Sequence, residues 1–104
     1  MGVILEISTK DYENDIVLIK KALSQMETLV QGYNGYLFSE PTKNFGWTFF
    51  KIALKPNLQK GIEEEFADMI KKYRWSKQPE KFAKFMGDYF QAKGCNVKVK
   101  LVDY

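Results

Sequence analysis

The chain has 104 residues, of which 45% are apolar and 28% charged, with a formal net charge of +3. That length suffices for one domain with its own core, without metal or disulfide staples. One cysteine, Cys95, excludes an internal disulfide and fits a reducing compartment; the lack of any histidine excludes the commonest general base and metal ligand.

Charge is unevenly spread. Residues 1–42 carry three basic and six acidic groups, net −3, and residues 43–104 carry 13 basic and seven acidic groups, net +6. An acidic front and a basic back can present a basic face. The opening "MGVILEISTK" has no basic segment, and its apolar run is too short for a signal peptide. No apolar run approaches the length of a membrane span. A cytoplasmic protein without membrane contact is expected.

Residues 2–8, "GVILEIS", predict a strand with Val3, Leu5 and Ile7 on one face. A helix is predicted from Lys10 to Gln31, because Tyr12, Ile16, Ile19, Leu23, Met26 and Val30 recur at steps of three and four. Gly32 is placed to end it in a left-handed cap. Strands at Tyr36–Glu40 and Phe45–Leu54 follow, with "PTKN" as the hairpin turn. The second of these is apolar on both sides. Thr48, Phe50, Ile52 and Leu54 alternate onto one; Phe45, Trp47 and Phe49 alternate onto the other.

Pro56 breaks the strand, and Asn57 is expected to cap a second helix striped by Leu58, Ile62, Phe66, Met69 and Tyr73. Glu63, Glu64 and Glu65 lie early in that helix and Lys71, Lys72 and Arg74 late, an order that suits the helix dipole. A third helix opens near Pro79, buries Phe82, Phe85, Met86, Tyr89 and Phe90, and ends at Gly94. "CNVKVKLVDY" closes the chain as a strand, with Val97, Val99 and Leu101 alternating against Lys98 and Lys100.

This order predicts an α+β, ferredoxin-like βαββ(αα)β domain: a four-stranded antiparallel sheet with helices on one face and the other face bare. The strand from Phe45 is then central. Its even-numbered residues meet the helices, and Phe45, Trp47 and Phe49 lie on the bare face with Lys43, Lys51, Lys98 and Lys100. A second candidate is the basic ridge "KKYRWSKQPEKFAKF", with Lys71, Lys72, Arg74, Trp75, Lys77, Lys81 and Lys84. No catalytic constellation, metal site or cofactor motif is read from the residues. Glu64 and Asp68, one helical turn apart, are better explained as a solvated face.

The stretch "KNFGWTFF", residues 43–50, resembles the ribonucleoprotein octamer of RNA-recognition-motif proteins. Lys43, Phe45, Gly46, Trp47 and Phe50 match its basic, aromatic, small, aromatic and aromatic positions. Asn44 and Thr48 depart from it, and the first strand, "VILEIS", supplies no partner aromatic. The layout with its split second helical region is also similar to dimeric α/β-barrel proteins, which stack bare sheet faces. The expected function is a non-enzymatic binding protein, a homodimer, inhibitor or adaptor, with the aromatic face as its interface. The alternative is single-stranded nucleic-acid binding on that face. A third reading is a small-molecule pocket in a dimeric barrel, lined by Tyr36 or Trp47.

Overall fold

The computed structural model describes residues 3–73 and 77–103. In chain order the elements are β1 (Val3–Thr9), α1 (Tyr12–Val30), β2 (Tyr36–Phe38), β3 (Thr42–Asn44), β4 (Trp47–Leu54), α2 (Pro56–Glu65), α3 (Ala67–Ile70), α4 (Gln78–Ala92) and β5 (Val97–Asp103). The fold is α+β. The strands form one antiparallel sheet in the order β2-β4-β1-β5, and β3 is a further strand on β4. The sheet therefore has five strands, not four, because the segment before β4 is kinked into two short pairings.

Alternation places the core. Val3, Leu5, Ile7 and Thr9 of β1 stand opposite Leu54, Ile52, Phe50 and Thr48 of β4, and all eight are buried under the helices. On α1, Ile16, Ile19, Leu23 and Met26 are buried and Tyr12 and Val30 flank them, as the three–four spacing dictates. Phe82, Phe85, Met86 and Phe90 of α4 complete the core from the other side.

The ends of α1 and α2 differ in detail from expectation, whereas α4 opens near Pro79 and gives way to Gly94 at φ 92 as expected. Gln31, not Gly32, takes the left-handed cap at φ 57. Gly32 is small for another reason: a Cβ there would stand 2.9 Å from the Leu58 Cα where α1 meets α2. β4 ends at Leu54, just before Pro56, and Pro56 itself begins α2, since proline suits the first helical turn. Asn57 does not cap it; its amide donates to the Tyr33 carbonyl at 3.1 Å.

The expected single helix to Tyr73 breaks at Phe66. The break advances the buried position, so Ile70 is buried while Met69 is 52% exposed. It also leaves Glu63, Glu64 and Glu65 in the last turn of α2, where the helix dipole disfavours them. No helix among the described residues is long and apolar enough to cross a membrane.

Candidate binding site

The bare sheet face is real, but its membership differs from the expected list. Phe45 is not on it. Asn44 pairs with Trp47, so Phe45 and Gly46 form a two-residue hairpin loop, and both have positive φ, 51 and 80. That is the signature of a type I′ turn, which asks for Asn or Gly at its first position. "PTKN" is thus mostly the strand β3, and the turn lies two residues further on. Phe45 is carried to the hairpin tip and is 95% exposed. A bulky side chain in the left-handed region costs roughly 1 kcal/mol.

Lys43 also leaves the aromatic face. It stands opposite Thr48, whose side chain faces the helices, so Lys43 projects to that side. Thr42 and Asn44, opposite Phe49 and Trp47, take the bare-face positions of β3. Tyr36 stands opposite the buried Leu54 and packs against the core, with its hydroxyl 3.3 Å from that of Ser24. It lines no space on the bare face.

What remains there is compact. Lys98, Ser8, Phe49 and Thr42 form one cross-strand row, and Lys100, Glu6 and Lys51 form the next. Ile4 and Ala53 continue it, with Leu37 beyond them on β2 and Asp103 paired with Ile4 on β5. Trp47 and Phe49 are half-buried. Two ammonium groups stand over the Trp47 ring, Lys10 Nζ at 4.9 Å and Lys98 Nζ at 5.2 Å from its centre. Lys10 was not among the expected site residues. Its register, one step past the Thr9–Thr48 pair, is the signal that could have found it.

A buried polar network fixes the residues on either side of Lys10. The Thr9 hydroxyl accepts the Asp11 N–H at 3.0 Å and donates to the Asp15 carboxylate, which also accepts the Asn96 N–H at 3.4 Å. Thr9 and Asp15 are 0% and 2% exposed. The network ties the end of β1, the start of α1 and the approach to β5, and Lys10 lies between two of its members. Next to it Cys95 is buried, and burial first, then the Asp15 charge, pushes its thiol up from 9.0. It therefore stays protonated and unreactive at neutral pH.

Between the hairpin and the start of α1 lies a cleft of about 800 Å³. Tyr12, Pro41 and Trp47 give it apolar walls, and Lys10, Asp11, Glu13 and Lys43 line it with two charges of each sign. A smaller groove of about 430 Å³ runs past Phe49 and Lys51 beside the kink between β2 and β3.

The basic ridge is separate from this site. Lys71, Lys72, Lys77 and Lys84 are exposed and Lys81 is half-buried, on the helical layer. Arg74 and Trp75 lie outside the described residues. Near it Tyr73 donates its hydroxyl hydrogen to Asp88, and burial together with that carboxylate pushes the phenol up to about 12. Among the described residues no group of three or more His, Cys, Asp or Glu side chains could hold a metal ion. Compared with known proteins, the chain matches no family model, no curated protein and no solved structure.

Proposed function

We propose that this chain is a small non-enzymatic binding protein of ferredoxin-like architecture, acting by protein–protein contact through its bare sheet face. The ferredoxin-like reading is supported by the order β2-β4-β1-β5, which sets β1 and β4 at the centre. The partner is an acidic protein surface. One observation carries this: Trp47 sits on that face under two ammonium groups, with Lys51 and Lys100 beyond on either side of Glu6. Aromatics ringed by cations suit a partner that brings carboxylates to the rim and an apolar side chain to the middle.

A second copy of the same face is a poor occupant. Stacking two would bring Lys51, Lys98 and Lys100 of each against the same cations of the other. Nucleic acid shares the need for cations, but Glu6 lies within the row where a phosphate track would run, and Phe45 is not there to stack. A reducing cytoplasm is the compartment that suits the buried, unpaired Cys95.

The test is a photo-crosslinking side chain in place of Phe49, with the full protein expressed in the cells that make it. Irradiation is expected to give adducts with acidic proteins that Lys51→Glu or Lys98→Glu abolishes. RNA adducts instead would support the nucleic-acid alternative. Adducts insensitive to both charge reversals, or none, would overturn the proposal.

A further inference from the structure

We infer that Asn34 is a self-modifying site held in check by the fold: its side chain converts to aspartate or isoaspartate when the junction of α1 and α2 opens, and the isoaspartate form cannot close again. The residues involved lie away from the sheet face, and the conversion does not depend on what binds there.

Packing imposes the reactive pair. Of the five asparagines, Asn34 alone is followed by glycine. The loop from α1 to β2 needs a residue at φ 55, and asparagine tolerates the left-handed region. The next position has no room for a side chain, since a Cβ at Gly35 would stand 2.3 Å from the Leu58 Cβ. The result is an exposed carboxamide beside a backbone nitrogen that no side chain shields. In the reaction the Gly35 nitrogen attacks the Asn34 Cγ. The N–Cγ bond forms, the Cγ–Nδ2 bond breaks, and ammonia leaves with the Gly35 amide proton. Water then opens the cyclic imide at either carbonyl. One opening gives aspartate; the other reroutes the main chain through Cγ and gives isoaspartate.

The fold opposes the first step. The Gly35 N–H donates to the Glu27 Oε2 at 3.2 Å, and the Gly35 carbonyl accepts the Lys55 N–H at 2.7 Å. The nitrogen keeps its proton and the peptide its orientation, so attack waits for a local opening, which in a loop needs less than global unfolding. Isoaspartate then removes the way back. It adds a methylene to the main chain next to Gly35, where one added atom would already meet Leu58 and the Gly32 carbonyl. Conversion is one-way and records how often the junction has opened.

The experiment is incubation of the full chain at neutral pH, in buffer and in denaturing urea, with peptide mapping by mass spectrometry at all five asparagines. In urea Asn34 is expected to convert first. In buffer it is expected to convert at least about tenfold more slowly, the equivalent of one hydrogen bond to a charged group. Glu27→Ala removes the acceptor of the Gly35 N–H and is expected to recover most of that factor. Global unfolding raises every asparagine together, whereas loss of the clamp raises Asn34 alone. Chains carrying isoaspartate are expected to melt below an Asn34→Asp variant, which has the same charge and an ordinary main chain. Equal rates in buffer and urea overturn the inference. So does a Glu27→Ala rate that matches wild type or rises equally at every asparagine, and so does an isoaspartate chain that melts with Asn34→Asp.

Discussion

Replacing Thr9 by valine tests whether the buried network both supports the fold and sets the site. Valine keeps the volume and the β preference, so the change removes one hydroxyl. That hydroxyl donates to Asp15, and its loss leaves a carboxylate 2% exposed with one long contact, the Asn96 N–H at 3.4 Å. It also orphans the Asp11 N–H at the head of α1. A hydrogen bond to a charged group contributes roughly 1.5–3 kcal/mol, and an unsatisfied buried partner adds to the loss. We expect Thr9→Val to destabilise the protein by about 2–3 kcal/mol, a fall in Tm of roughly 8–15 °C. Urea unfolding followed by far-ultraviolet circular dichroism measures it, with a slope unchanged from wild type. Removing both partners, as Thr9→Val with Asp15→Leu, should cost less than the sum of the single changes by at least about 1 kcal/mol, since no carboxylate is then left stranded. Trp47 emission, read in a Trp75→Phe background, should shift in Thr9→Val well below the unfolding transition as Lys10 loosens. A loss under about 0.5 kcal/mol, or strict additivity in the cycle, would refute the reasoning.

Two further outcomes follow from single contacts. The Tyr73 phenol, pushed up from 10.0 to about 12, holds its proton more tightly folded than unfolded. Its contribution to stability is therefore complete below pH 10.0 and is lost as pH rises through about 12. Phenolate absorbance titration of the wild type against Tyr73→Phe should show one late-titrating group missing from the variant; a difference titrating near the ordinary tyrosine value would contradict the Asp88 contact. A Cβ at Gly35 would lie 2.3 Å from the Leu58 Cβ and 2.7 Å from the Gly32 carbonyl oxygen, whereas one at Gly46 meets nothing within 4 Å. Gly35→Ala should cost about 1–3 kcal/mol by overpacking and Gly46→Ala about 1 kcal/mol through its positive φ. Thermal melts that reverse this order would show that the α1–α2 junction is loose.

Much of the fold is legible in the sequence because β1, α1, α4 and β5 each bury one face and so carry a clean period. The hairpin is not. "KNFGWTFF" alternates without interruption through a turn, because Phe45 stands where a type I′ loop normally shows Asn, and nothing apolar drops out to mark the corner. Reading on through it put Phe45 on the sheet face and Lys43 with it. The break at Phe66 was hidden for a related reason: Met69 and Ile70 are adjacent apolar residues, so the stripe can be drawn through either, and only packing selects Ile70. The cleft was invisible because its two walls, Lys10–Glu13 and Pro41–Thr48, are distant in the chain and meet only when β1 pairs with β4.

The position of Lys10 also bears on what the sheet face can accept. Stacking a base on an aromatic side chain contributes roughly 1–3 kcal/mol, but only on an unoccupied ring face. The Trp47 ring already has two ammonium groups within 4.9 and 5.2 Å of its centre. Each such contact at an exposed site contributes about 0.5–1 kcal/mol, and a base must displace at least one of them, so much of the stacking gain is cancelled. A carboxylate approaching from a protein partner pairs with the same ammonium groups where they stand and leaves both ring contacts intact. The proposed preference for a protein partner therefore rests on Lys10 and Lys98 more than on the aromatics, and it should weaken if both are changed to alanine, a substitution that clears the ring while leaving Trp47 and Phe49 in place.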